Sequence, residues 1–198
     1  MKLIFATGNK NKMEEIRQIM SDTDYEVLSM KEAGIEIDVE ENGATFEENA
    51  LLKAEAIANK ITDAIVLADD SGLEIDYLGK EPGVRSSRFL GEDTSYTVKN
   101  NHILNLLEGV QGKKRSARFV CVIAAIFPNK KKETVRATIE GEIAMESKGE
   151  EGFGYDPIFY VPEFGCTTAE LTMEQKNQIS HRGKALTEIK KKLIAFAE

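Results

Sequence analysis

Three acids and a handful of cations carry most of the chemistry this sequence can do. Asp69 and Asp70 stand side by side after the apolar run Ala64–Ala68 and are followed by Ser71 and Gly72. A third acid, Glu41, lies in an acidic stretch with Asp38 and Glu40. Neighbouring carboxylates repel unless a cation or a proton lies between them. Glu41 and Asp70 suit Mg2+, which takes oxygen ligands, keeps several waters and bridges to substrate phosphates. The ion would neutralise charge on the transferring phosphorus. Asp69 or Asp70 could then take the proton of an attacking water. The reaction class that follows is metal-assisted hydrolysis of a nucleoside polyphosphate. The plainer reading of the same acids is a polar turn closing a core strand.

Two further stretches could hold the rest of such a substrate. Thr7-Gly8-Asn9-Lys10-Asn11-Lys12 joins a short apolar strand to a helix with Met13, Ile16, Ile19 and Met20 at helical spacing. A strand, a Gly-containing turn and a helix N-terminus present N–H groups and a favourable dipole to phosphate; capping alone also explains Gly and Asn there. The Walker pattern is absent, so this is not a P-loop ATPase. Near the C-terminal end, Gly149–Pro157 is rich in glycine without forming a dinucleotide fingerprint. Phe153 and Tyr155, either side of Gly154, could stack on a base, with Asp156 accepting hydrogen bonds from ring N–H groups. They could equally cap a core. Lys53, Lys176, His181 and Arg182 are the remaining candidates; Lys53 lies off the inward stripe of its helix, either solvated or over the site.

The elements that must position these residues are strands at 2–6, 25–29 and 64–68 and helices at 10–21, 45–61 and 95–108. A long β pair at 117–127 and 133–144 and a C-terminal helix starting after Gly183 complete the set. Thr45 and Glu48 form a capping-box pattern, Leu51, Ala54, Ala58 and Ile61 the stripe of that helix, and Gly109 the stop of the next. The acids at 69–70 are expected where the central strand ends, since ligands of open α/β sheets bind outside the carboxyl ends of strands. The fold class is α/β, a mixed sheet flanked by helices with a β-rich second lobe.

With 198 residues, 41% hydrophobic and 30% charged, the chain is expected to be one domain over 1–198, with two lobes. No apolar run approaches the ~20 residues of a membrane span, the N-terminal apolar stretch is too short for a signal peptide, and a cytoplasmic location is expected. Cys121 and Cys166 give no disulfide or zinc pattern, and His102 and His181 are too few for a histidine-rich metal site. The net charge of -8 argues against a nucleic-acid partner held by a broad basic surface. It leaves a small polyphosphate open.

Five motifs occur in order: Phe5–Lys12, Glu41–Ala50, Leu67–Leu73, Gly152–Pro157 and Ser180–Ala185. Together they resemble the inosine triphosphate pyrophosphatase, or Ham1-like, family over nearly the whole chain. The resemblance implies an elongated α/β fold, a nucleotide cleft between two lobes, and a homodimer. It implies cleavage of ITP, dITP and XTP to monophosphate and pyrophosphate with Mg2+, removing deaminated purines from the nucleotide pool. On this sequence it makes Thr7, Gly8, Asn9, Lys10, Asn11 and Lys12 the phosphate-binding loop, and Glu41 and Asp70 the metal ligands. Asp70 becomes the proton acceptor and Ser71 a substrate contact. Phe153, Gly154, Tyr155 and Asp156 become the base-binding loop, with Lys176, His181 and Arg182 as further contacts. Lys53, Asp69 and Arg88 take supporting places; the family's usual aromatic and alanine before that arginine are replaced by Ser86 and Ser87. Two alternatives stand beside this reading: a non-catalytic nucleotide-binding regulatory module, and a house-cleaning pyrophosphatase for modified pyrimidine nucleotides.

Overall fold

The computed structural model describes residues 1–197. One seven-stranded sheet, in the order β2-β1-β3-β4-β5-β6-β7, is accompanied by α-helices. Its strands are β1 (Lys2–Phe5), β2 (Glu26–Ser29), β3 (Ile65–Ile75), β4 (Ser116–Ile126), β5 (Lys132–Ile143), β6 (Phe159–Val161) and β7 (Cys166–Thr167). The helices are α1 (Lys10–Met20), α2 (Phe46–Ala58), α3 (Tyr96–Leu106), α4 (Met173–Ile179) and α5 (His181–Ala197). β1 pairs in parallel with β2 and β3, while β6 pairs antiparallel with β5 and β7. β4 and β5 are neighbours joined by a short turn at Phe127–Lys131, a connection only antiparallel strands allow. The sheet is therefore mixed, as the sequence leads one to expect.

The chain forms two compact units: Met1–Asp70, Cys121–Ala137 and the segment from Arg182 on make the first, Ser71–Val120 and Thr138–His181 the second. The first unit's core follows from strand alternation. Leu3 and Phe5 of β1, Ile65 and Leu67 of β3, and Cys121, Ile123 and Ala125 of β4 point to one face and pack with Met13, Ile16 and Met20 of α1 and Leu186, Ile189 and Leu193 of α5. The alternate residues Ile4, Val66, Ala68, Val122 and Ala124 are buried too, as interior strands covered on both faces require. In the second unit Leu73, Ile75, Phe119, Ile143 and Phe159 from the strands pack with Ile103 and Leu107 and with Tyr155 and Ile158.

Several sequence expectations are corrected. β3 does not end before the acids: it runs through Asp69, Asp70, Ser71 and Gly72 to Ile75. The apolar alternation resumes at the fully buried Leu73 and Ile75, and the carboxylates find cations in place, so the turn signal of Asp-Asp-Ser-Gly is overridden. α2 stops at Ala58, three residues early, and its inward residues are Phe46, Asn49, Ala50, Ala54, Ile57 and Ala58. Leu51 and Ile61 are only half-buried. The Thr45 cap is present, but Glu48 turns to the Ala44 N–H instead of closing the box on Thr45. α3 ends at Leu106, with Gly109 beyond its cap in the left-handed region. The loop anticipated at 180–183 is short: α4 precedes it, and His181, Arg182 and Gly183 already lie in α5.

Arg115 closes the second unit through main-chain carbonyls. Its guanidinium donates to the carbonyls of Leu107, Val110, Ile143 and Ala144 at 2.6–3.0 Å, satisfying groups left over beyond α3 and at the end of β5. Replacing it by leucine keeps the apolar stem but strands buried acceptors at roughly 1–3 kcal/mol each. Arg115→Leu is expected to destabilise the protein by about 4 kcal/mol in urea unfolding, with Arg115→Lys recovering part of the loss.

Candidate active site

In the first unit the candidate residues converge on β3. Consecutive strand residues face opposite sides, so Asp69 and Asp70 do not confront each other as their adjacency suggests. Asp69 is 1% exposed and accepts from Lys12 Nζ at 2.9 Å, with Arg182 Nη2 at 3.5 Å. Arg182, also buried, donates to Glu15 at 2.5 Å. Burial opposes ionisation of Asp69, yet the charges of Lys12, Arg182 and Lys53 hold it well below the usual carboxylate range. Burial likewise works against the Arg182 charge, and Asp69 and Glu15 overcome it.

Asp70 lives under the opposite balance. Burial pushes its carboxyl up to about 6, against the Lys53 charge and a hydrogen bond from Asn49 and with the help of nearby Glu41. Lys53 Nζ lies 2.8 Å from Glu41 and 3.8 Å from Asp70, so the two carboxylates reach one common ammonium. Its own pKa is raised, because Asp69, Asp70 and Glu41 more than offset its desolvation. Two oxygen donors already gathered about one cation are a fitting start for a hard divalent ion. Glu41 and Asp70 supply only part of such a shell; among the described residues no group of three or more His, Cys, Asp or Glu is placed to hold a metal. Thr7, Gly8, Lys12, Glu41, Lys53 and Asp69 share the wall of one cavity of about 210 Å³.

The loop 7–12 differs from the expected open cradle. Asn9 caps α1, its Oδ1 accepting from the N–H groups of Asn11 and Lys12, while Thr7 Oγ1 accepts from the Asn9 N–H. These donors serve the cap, and the cation that reaches the acids is the Lys12 side chain. Gly8, Asn9, Lys10 and Asn11 are exposed.

The second unit gathers the aromatic loop. Asp156 is its anchor: Oδ2 accepts from the Phe153 N–H and from Lys176 Nζ, both at 2.8 Å, and Oδ1 from Thr168 Oγ1 at 2.8 Å. Gly152 has φ +75°, and a Cβ there would come within 2.3 Å of that carboxylate. Lys176 Nζ also sits 4.8 Å from the Phe153 ring centre. Tyr155 is a core residue, 4% exposed, whose hydroxyl donates to the Ser86 carbonyl at 2.6 Å. The expectation that Asp156 serves ring N–H groups is thus modified, since its carboxylate is engaged in shaping the loop. His181 is buried and stacks on Phe119 at 4.9 Å between ring centres. Ser71 is half-buried in β3, and Arg88 half-buried in its loop.

Residues that sequence reasoning passed over hold this arrangement. Asn49, fully buried, donates to Asp70 at 3.1 Å and accepts from the Gly43 N–H at 2.8 Å, tying the Glu41 loop to β3. Its signal was available: a polar residue on the inward stripe of an otherwise apolar helix face. Glu15 carried no such mark.

The adjacent aspartates are expected to affect stability with opposite signs. Asp69, with its lowered pKa, stabilises the fold above about pH 4 and loses this as pH falls; Asp69→Asn leaves buried cations uncompensated, at about 3 kcal/mol or more. Asp70, raised to about 6, is favoured in its protonated form, and that contribution is lost as pH rises through 6. Asp70→Asn is expected to raise the Tm of metal-free protein by a few degrees at pH 8, the gain vanishing near pH 4, in thermal melts across that range.

Comparison with known proteins adds to this geometry. A family model described as the Ham1 family matches residues 3–192. The chain is 48% identical over 198 residues to the dITP/XTP pyrophosphatase of Caldanaerobacter subterraneus subsp. tengcongensis, covering 100% of this chain and 98% of the relative. To the dITP/XTP pyrophosphatase of Bacillus subtilis it is 46% identical over 192 residues, 97% of this chain and 96% of the relative. The Staphylococcus aureus Ham1 protein superimposes with a TM-score of 0.87 at 42% identity, over 98% of this chain and 99% of the other. A HAM1 protein from Coxiella burnetii gives 0.89 at 40% identity over the same shares. With a family model matched over residues 3–192 and relatives 42–52% identical along nearly the whole length, the chain belongs to the Ham1 family.

Proposed function

We infer that the protein is a nucleoside triphosphate pyrophosphohydrolase acting on the non-canonical purine nucleotides ITP, dITP and XTP, releasing the monophosphate and pyrophosphate. The observation that carries this reading is full-length similarity to dITP/XTP pyrophosphatases at 42–52% identity. In the reading, Thr7 to Lys12 meet the phosphate chain, and Lys53 stands with Asp69 and Asp70 in the catalytic group. Glu41 and Asp70 would hold a magnesium ion, whose chemistry is to neutralise charge on the phosphate oxygens. Asp70, with Lys53 at 3.8 Å where Asp69 has Lys12 at 2.9 Å, is the proton acceptor for the attacking water, while Asp69, held ionised by Lys12 and Arg182, is too weak a base and serves to fix those cations. Ser71 contacts the substrate.

In the second unit the base is assigned to the loop of Phe153, Gly154, Tyr155 and Asp156 with Lys176 and His181, Tyr155 and Asp156 shaping it from behind; in the first unit Arg182 is assigned a substrate contact. Hypoxanthine and xanthine carry a carbonyl where adenine carries an amino group, so donors such as Arg182 and His181 favour the former and clash with the latter. Discrimination by buried donors left unpaired reaches about 10⁴ or more. The two units are taken as lobes of one domain over 1–198, acting as a homodimer in the cytoplasm. Among the described residues no helix is long and apolar enough to cross a membrane, and no nucleic-acid or membrane partner is invoked.

The test incubates purified protein and Mg2+ with ITP, dITP, XTP, ATP and GTP separately and quantifies monophosphate, pyrophosphate and orthophosphate. Monophosphate and pyrophosphate from the first three, with little from ATP and GTP, are expected. Orthophosphate with a diphosphate would place the cut elsewhere, and binding without turnover would favour a regulatory module. Asp70→Asn is expected to abolish turnover while leaving the fold intact, and Arg182→Ala to remove most ITP activity; near-normal rates in either variant would overturn its assigned role. In wild type, kcat/KM is expected to fall toward acid pH, where a proton on Asp70 both displaces the metal and removes the proton acceptor.

A further inference from the structure

The first turns of α3 reach the aromatic loop from within the second unit. Tyr96, Lys99 and Asn100 recur at i, i+3 and i+4 and so share one helix face. Asn100 Nδ2 donates to the Gly154 carbonyl at 3.1 Å. The Tyr96 ring meets the Tyr155 ring edge-on at 5.2 Å and is the neighbour that a Cβ on Gly154 would touch. Lys99 Nζ donates to the Ser87 carbonyl at 2.5 Å, beside the Ser86 carbonyl that accepts from the Tyr155 hydroxyl. Ser86 is fixed in turn, its hydroxyl accepting from the Leu73 N–H and donating to the Gly83 carbonyl. The loop is thereby held at two successive residues, by the carbonyl of Gly154 and the side chain of Tyr155.

Gly154 is the flexible joint of that loop. It has φ +71° and separates Phe153 from Tyr155, so the direction of its carbonyl sets how the two aromatic residues are presented. Asn100 spends its amide N–H on that carbonyl at a cost. It is 5% exposed, and its Oδ1 has no hydrogen-bond partner among the described residues. A buried acceptor left unused is unfavourable, so an apolar residue of similar shape would serve the helix alone as well or better.

We propose that Asn100 is a positioning residue for base recognition, locking the Gly154 carbonyl so that Phe153 is held at the height a purine needs. It acts through the loop and touches no reacting atom. The proposal rests on the proposed role of this loop in holding the base.

The test compares wild type with Asn100→Leu, which keeps the shape and removes the donor. It reads the KM and kcat for ITP, inhibition by IMP, inhibition by inorganic pyrophosphate, and Tm. With one hydrogen bond lost from the base subsite, KM for ITP and the inhibition constant for IMP are expected to rise about tenfold. The kcat should stay within about threefold and the pyrophosphate constant should be essentially unchanged, while the stranded Gly154 carbonyl lowers Tm by no more than a few degrees. A folded variant with unaltered KM and IMP inhibition overturns the proposal. So does one in which pyrophosphate inhibition weakens and kcat falls to the same extent that KM rises, since that marks general damage. Should Asn100→Leu fail to fold, Asn100→Ala is put through the same comparison, and the same results support or overturn the proposal. Absence of ITP turnover and of IMP binding in wild type would instead remove the functional reading itself, and that is established before any variant is made.

Discussion

A carboxylate buried in the middle of a β-strand is the constraint the first unit answers to. Asp69 is almost wholly removed from water, and an isolated charge there would cost several kcal/mol. Lys12 from the start of α1 and Arg182 from the start of α5 meet it, and Glu15 from α1 meets Arg182. α1, β3 and α5 are therefore pinned to one another by charge as well as by the apolar cluster of Leu67, Ile16 and Ile189. The position of Lys12 follows from this pairing, and so does the otherwise puzzling burial of an arginine in the first turn of a helix.

The same strand sets up the contrast on which the proposed chemistry rests. One residue further along, Asp70 faces the other side, where a lysine and an asparagine are its named partners and a second acid lies close. Two aspartates with adjacent numbers thus end in different electrostatic environments, one held ionised and one poised near neutrality. Pairs of titratable groups whose surroundings push them apart mark divided roles. Here the division comes from the two-residue period of a strand and from which helix lies over each face.

The second unit is organised by polar anchoring of a glycine-rich loop. Asp156, Lys176 and Thr168 fix one end, while Asn100 holds the Gly154 carbonyl between the aromatics and the Ser86 carbonyl holds the Tyr155 hydroxyl. Such a loop needs glycine where a side chain would strike its own anchors, as at Gly152, and it needs buried polar partners to stay in one shape. The aromatic pair divides accordingly. Tyr155 is spent on the core and Phe153 is left beside the Lys176 ammonium.

Much was legible in the sequence because it is local. Apolar periodicity gave α1, α2, α3 and the β4–β5 pair, Thr45 marked its cap, and five ordered motifs pointed to the Ham1 family and included Lys12, Glu41, Asp69, Asp70 and Arg182 about β3 and Phe153 and Asp156 in the aromatic loop. What only the tertiary structure decided is non-local. The turn signal after Asp70 lost to the burial of Leu73 and Ile75, the Lys12 side chain went to Asp69, and the carboxylate of Asp156 went to Lys176 and Thr168. Asn49, Glu15, Asn100 and Arg115 draw their roles from partners far along the chain, and no spacing rule connects residue 15 to residue 182. Residue types determined what chemistry was available; burial and the facing of strands, which exist only once distant segments meet, decided the state in which each group holds its charge.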